Sequence, residues 1–486
     1  MFRAAPPVEI PRRLWYHSLM ETKVIDIYPI PALKRLLAPG QQAYVVGGTV
    51  RDFLLGRDVA DIDVAVSGDT GLFARHAANA TGGTEFVMDE GRGTYRVALK
   101  GPPYVQVDIC RLKGDILSDL ADRDFTINTM AAPLAGGAII DPHGGMADLG
   151  AKVVRALGRE AFVDDPLRVM RAFRIAAQLG FDIDAETLKL AATYAPGLSD
   201  VSPERVRDEL FIILDMDGAS GVIARMAERG VLRHVIAETA PMEGLIQGEP
   251  HEHDLLNHSL KAMEYAEIVM ADLGRWFGEQ AEYMAAYLGG AVPGGLSMSG
   301  LVKLCALLHD VGKPSCMKLD SGRVRFIGHD REGARINLEI AERLKLSNRA
   351  AAALEATALG HMRPLHMSKQ GMTRRAVYRY VKDLGDDLPA SLIIALADAF
   401  ATRERPHAME TDVEGVVRHI ADYYFGDYRK AREAPLVTGR DLIDELNLTP
   451  GPAFSEILDE VEERRAEGML KDRAGALEYI KRNLAI

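Results

Sequence analysis

Two carboxylates set two residues apart, Asp61 and Asp63, stand in the alternating run DIDVAV. A strand has a side-chain period of two, so both leave one face while Ile62, Val64 and Val66 leave the other. Two carboxylates on one face are hard oxygen donors that suit Mg²⁺. Upstream, the β-formers Tyr44, Val45 and Val46 run into Gly47 and Gly48. That pair permits a turn that residues with a Cβ resist. A short helix is expected next, over about 49–55, and its opening N–H groups suit a polyphosphate. A phosphate cradle beside a metal-binding pair is what nucleotidyl transfer needs.

Further chemistry follows in chain order. In VQVDIC, Asp108 alternates with Val107 and Ile109, which turns it away from the apolar face. In FVDDPLRVMRAFR a helix is expected from Pro166 onward, with the proline near the first turn where its missing N–H costs least. Asp165, Arg168 and Arg171 then fall three apart, close to one side of that helix, and Arg174 is three further on. A carboxylate accepts from an exocyclic amine and a guanidinium donates to ring acceptors. One Asp–Arg pair therefore reads cytosine or adenine, while uracil presents O4 to the carboxylate and is repelled. A second constellation consists of His258, the adjacent pair His309 and Asp310 in LLHDVGK, then His329, His361 and Asp398. An adjacent His–Asp pair places an imidazole and a carboxylate on one metal.

The pattern GGxVRDxxLGRxxxDxD, met by Gly47 to Asp63, resembles the signature of the class II tRNA nucleotidyltransferases and bacterial poly(A) polymerases, within the polymerase-β-like superfamily. The resemblance implies that Asp61 and Asp63 bind Mg²⁺ and that Gly47, Gly48, Arg51 and Asp52 belong to the nucleotide site. Asp108 matches the third strand carboxylate of the superfamily, either a general base for the attacking 3′-hydroxyl or a metal ligand. DRDFTINTMA resembles RRDFTxNA, and Arg123, Asp124 and Asn128 match its nucleotide-binding positions. Asp122 stands where the family usually has its first Arg, which lowers positive charge near the phosphates. The neck segment resembles EDxxR, with Asp164 in the Glu position. The family uses Asp165 and Arg168 as a protein template for CTP and ATP, and Arg171 and Arg174 would face phosphates or orient that pair. SPERVRDEL, from Ser202, resembles the next motif, a helix start with a capping-box-like serine. The order H…HD…H…H…D resembles the ligand set of HD-superfamily phosphohydrolases and implies a divalent transition metal, its identity open. In some bacterial members such a domain is linked to 2′,3′-cyclic phosphodiesterase, 2′-nucleotidase and phosphatase activities. A relic site holding a structural metal is the other reading.

The elements that must position these residues need several domains, since 486 residues exceed what one core serves. The expected fold is α+β: a polymerase-β-like nucleotidyltransferase head over 25–150, an all-α neck over 151–245 for base and RNA binding, an HD domain over 246–402 and a helical tail over 403–486, behind an extension over 1–24. A hydrophobic content of 48% with 26% charged residues is that of a soluble globular chain. No apolar run is long enough to span a bilayer, so no membrane partner is expected. The N-terminus lacks the apolar core of a signal peptide, and three cysteines in so long a chain suit a reducing cytoplasm. The net charge of −12 argues against a generally basic coat but allows a local RNA-binding face. The expected activity is template-free addition of CCA to the tRNA 3′ end from CTP and ATP. A specialised CC-adding or A-adding enzyme, a poly(A) polymerase, and chiefly an HD phosphohydrolase acting on RNA ends remain the alternatives. Oligomeric state is left open.

Overall fold

The computed structural model describes residues 25, 27–101, 104–402 and 408–483. The extension expected over 1–24 lies outside the described residues. The chain divides into two compact units, up to Val201 and from Ser202 on, so the residues expected to form the neck are shared between them.

The first unit is built on a mixed six-stranded sheet of order β3-β4-β5-β2-β1-β6. Its strands are β1 (Ala43–Val46), β2 (Asp61–Val66), β3 (Thr84–Asp89), β4 (Thr94–Ala98), β5 (Gln106–Arg111) and β6 (Ala131–Pro133). β2 and β5 run parallel; the other neighbours are antiparallel. The alternation expected for β2 is real, since Ile62 and Val64 are fully buried while Asp61 is exposed. Helix α1 (Gly48–Leu54) follows the Gly47 turn. A helix over Thr70–Thr81, capped by Asp69, buries Phe73, Ala74, Ala77 and Ala78.

Beyond the sheet come α2 (Glu160–Asp164) and α3 (Arg168–Leu179). The helix expected from Pro166 starts at Arg168 instead, and Asp165 is extended, with φ −147° and ψ 96°. The cause lies in the sequence: proline disfavours helical backbone in the residue before it. α3 buries Val169, Met170, Phe173 and Ala176 and turns its arginines to the other side. It ends at Gly180, whose φ of 66° is a left-handed cap.

Among its described residues the second unit is helical apart from one hairpin, and it opens with a helix over Pro203–Leu214. Ser202 precedes that helix but makes no side-chain capping bond; Pro203 at the first helical position supplies the start signal. Helices α4 (Leu255–Ala271) and α9 (Leu388–Ala401) form its centre, and every residue of α9 is buried. Around them stand α5 (Met298–Leu308), α6 (His329–Arg343), α7 (Asn348–Gly360) and α8 (Met362–Gln370). The hairpin pairs β7 (Lys318–Asp320) with β8 (Arg323–Arg325). The C-terminal helices have a small core of their own, including Val437, Leu442, Ile457, Val461, Leu477 and Ile480. Among the described residues no helix is long and apolar enough to cross a membrane.

Candidate active site and metal centre

In the first unit the register of the central strands assembles the carboxylates. Asp63 stands opposite Asp108 across the parallel β2–β5 pair, and Asp61 stands opposite Gln106. All three carboxylates therefore share one face of the sheet. Thr49 ties α1 to this edge, donating to the Asp61 carbonyl at 3.1 Å and accepting from the Asp63 N–H at 2.8 Å. Burial pushes the Asp63 carboxyl up to about 6; Arg123 opposes this, while Asp108 and Asp61 add to it. A carboxylate that burial and two neighbouring carboxylates disfavour gains from a divalent cation, so this donor set fits Mg²⁺.

Asp108 is not open on this face. Arg96, its cross-strand neighbour on β4, grips it with two bonds of 2.7 and 2.8 Å. Sequence reasoning missed Arg96, because only the β4–β5 register brings it there. Gly47 holds a turn that favours glycine. Its φ of +67° is one that L residues rarely adopt, and a Cβ there would lie 2.8 Å from Arg123 Nη1. Arg123 is held in place by the buried Asp119, a second residue that sequence reasoning missed.

Arg51, Asp52, Asn128, Asp124 and Arg171 form one chain of bonds. Arg51 donates twice to Asp52, at 2.9 and 2.8 Å, and once to Asn128, at 2.8 Å. Asn128 donates to Asp124 at 3.0 Å, and Arg171 donates to the other oxygen of Asp124 at 2.6 and 3.1 Å. Burial opposes ionisation of Asp124, but Arg171, Asn128 and the Phe125 N–H outweigh it and hold the carboxyl below its usual range. Arg168 donates to the carbonyls of Asp122 (2.8 Å) and Ala161 (3.2 Å), which ties the start of α3 to the DRD segment. Asp165 accepts from the Leu167 N–H at 3.3 Å, and Arg174 donates to Gln178 at 2.8 Å.

In the second unit the six expected ligand residues converge from five places in the chain. His258 lies on α4, His309 and Asp310 follow α5, His329 opens α6, His361 follows α7, and Asp398 lies on α9. All but His329 are buried, and His329 is nearly so. Each imidazole turns Nδ1 to a backbone carbonyl: Ala401 (3.3 Å), Ala306 (2.7 Å), Phe326 (2.8 Å) and Ala358 (2.8 Å). That leaves all four Nε2 atoms pointing inward. These atoms and Asp310 Oδ1 are buried without a hydrogen-bond partner. Unpaired buried polar atoms are costly, and so many of them grouped around Asp310 fit a cation.

The donors fall into two overlapping sets that share Asp310: His258, His309, Asp310 and Asp398, and Asp310, His329 and His361. Asp310 Oδ2 lies 3.1 Å from His309 Nε2, and its Oδ1 lies 3.3 Å from His329 Nε2. Burial opposes protonation of His309, but Asp310 and Asp398 outweigh it and push the imidazole up to about 10. Protons therefore compete with metal here. Gly312 in HDVGK makes the geometry possible, since a Cβ there would lie 2.3 Å from the His329 carbonyl. Lys313 of the same motif and Gln247 escaped sequence reasoning. Lys313 donates to Asp310 Oδ2 at 2.6 Å and to Gln247 Oε1 at 2.8 Å, and both side chains are buried.

The first unit thus carries three carboxylates on one face of a mixed sheet, and the second carries a buried His/Asp cluster. Family models match in the same order: the poly(A) polymerase head domain over 43–155, a probable RNA and SrmB-binding site of polymerase A over 180–242, and the HD domain over 255–403. The chain is 32% identical over 456 residues to the CC-adding tRNA nucleotidyltransferase of Geobacter sulfurreducens, covering 93% of this chain and 95% of that one. It is also 32% identical, over 454 residues, to the A-adding tRNA nucleotidyltransferase of Deinococcus radiodurans, covering 90% and 95%. A CCA-adding enzyme solved in an apo form shares the fold, with a TM-score of 0.66 at 23% identity over 94% of each chain. The chain belongs to the tRNA nucleotidyltransferase family.

Proposed function

We propose that the chain adds C and A residues, without a nucleic-acid template, to the 3′ end of tRNA from CTP and ATP, completing CCA, in the cytoplasm. The observation that carries this is the shared face of Asp61, Asp63 and Asp108 beside the Gly47 turn and the Arg51 and Arg123 guanidiniums. Asp61 and Asp63 would hold two Mg²⁺ ions, which when bound activate the terminal 3′-hydroxyl and steady the triphosphate so that pyrophosphate leaves in line. Gly47 and Gly48 let the triphosphate approach the backbone. Arg51 and Arg123 place positive charge beside it, oriented by Asp52, Asn128 and Asp119. Asp108 serves as base or ligand once Arg96 yields it. Asp165, on the extended segment before α3, and Arg168, its first residue, select the base, with Asp124 and Arg171 bracing that helix against the DRD segment.

The four inward Nε2 atoms support a transition-metal centre in the second unit, with His258, His309, Asp310, His329, His361 and Asp398 as ligands. We assign it phosphohydrolase activity on RNA ends. A second reading of the head, a specialised CC-adding or A-adding enzyme, is favoured by relatives of those two kinds that match nearly the whole chain. Asp61→Ala tests the head assignment. Incorporation of both CTP and ATP is expected to vanish while circular dichroism stays native; retained incorporation would refute the carboxylate pair as the metal site.

A further inference from the structure

A cavity of about 660 Å³ opens beside the metal centre of the second unit, and His329, Asp398 and Lys313 form part of its wall. That volume lies within the roughly 300–1,000 Å³ range of organic-ligand sites, far more than a lone phosphate fills. Two cations reach it from elements remote in sequence, Arg323 on β8 and Lys369 on α8. Both are exposed, and neither has an ion pair among the described residues. Arg325 shares the wall but pairs with Asp320 at 3.1 Å, and Glu249 and Asp330 also line the space. An apolar element stands next to the cations. Ile327 lines the cavity while 78% exposed, beside the half-buried Phe326. An isoleucine so exposed adds little to folding, whereas on a cavity lip it offers a surface to a ligand.

We propose that this cavity is a subsite for the nucleotide next to the one hydrolysed. With the reacting phosphate at the metal centre, Arg323 and Lys369 hold the adjacent internucleotide phosphate, and Phe326 and Ile327 lie against its base. The proposal rests on the phosphohydrolase assignment of the centre. In the hydrolysis, a water oxygen forms a new bond to phosphorus, the bond from phosphorus to a ribose oxygen breaks, and that oxygen takes the proton the water gives up. The subsite makes the end of an RNA strand a better substrate than a mononucleotide carrying the same phosphate.

The test uses the full chain loaded with metal and two probes, 2′,3′-cyclic AMP and a trinucleotide ending in a 2′,3′-cyclic phosphate. The native chain is expected to prefer the trinucleotide in kcat/KM by tenfold or more. The double variant Arg323→Ala/Lys369→Ala is expected to lower that preference about 10- to 100-fold, as loss of charge-assisted contacts does, with bound metal unchanged. Arg323→Lys with Lys369→Arg, which keeps both charges, is expected to retain most of it. An unchanged preference in the alanine variant overturns the subsite. No turnover of either probe by the metal-loaded native chain overturns the hydrolase assignment itself, and the subsite with it.

Discussion

Arg171→Ala removes the guanidinium that neutralises a buried carboxylate. Asp124 is 7% exposed at its side chain and loses two charge-assisted bonds, at 2.6 and 3.1 Å, keeping only Asn128 and the Phe125 N–H. Breaking a buried pair from one side costs about 3–5 kcal/mol. Arg171 is 38% exposed at its side chain, so water screens the pair and the lower end applies, about 3 kcal/mol. That is roughly a 100-fold rise in local opening. Hydrogen exchange of the amides in 124–128 and 168–179 reads it directly. The pH dependence supplies a sign. In the native chain Asp124 is held below its usual range, so its contribution is present above the unfolded value near pH 4 and fades as pH falls through the folded one. In Arg171→Ala the orphaned carboxyl prefers its proton, so acidification from pH 7 towards pH 5 narrows the gap to the native chain. Adding Asp124→Asn removes the orphaned charge and recovers part of the loss. A cost below about 0.5 kcal/mol, or strict additivity of the two substitutions, would refute the coupling.

Three further outcomes follow from the same geometry. With Asp63 pushed up to about 6, protons compete with Mg²⁺ below that pH; half-saturating Mg²⁺ is expected to rise about tenfold per pH unit there, and a flat profile from pH 5 to 7 would count against it. Gly312→Ala forces a Cβ against the His329 carbonyl, so metal content by mass spectrometry is expected to drop, with about 1–3 kcal/mol of overpacking strain seen in thermal unfolding; full metal content would contradict the close-approach account. Arg168→Ala is expected to loosen base choice, read as UTP or GTP incorporation or as loss of both correct nucleotides, and unchanged selectivity would rule out its templating role.

The residues that carry chemistry were legible where a short period or a dense motif fixed them. The alternation of Asp61 and Asp63 needed only a local rule, whereas the spaced His/Asp set stood out through its resemblance to a family's ligand order. What escaped depended on register and packing. Arg96 meets Asp108 only because β4 and β5 pair as they do, and Asp119 matters only because Arg123 folds back onto it. Arg168 stood out by spacing, yet its bonds to the Asp122 and Ala161 carbonyls depend on how the start of α3 meets the DRD segment and the first turn of α2. The extended backbone of Asp165 was readable from Pro166, but the helical spacing obscured it. The sharing of Asp310 between two donor sets is a three-dimensional fact that motif order does not contain.

The central claim is tested most directly by giving the purified chain Mg²⁺ and three tRNA transcripts, ending at the discriminator base, after one C, and after CC. CTP, ATP and both are supplied, and products are read at single-nucleotide resolution. The account predicts that the shortest transcript gains CCA and that extension then stops. Addition of CC alone, or of A alone to the CC end, would assign the chain to a specialised enzyme instead. A growing ladder of A residues, or no extension of any transcript, would contradict the account.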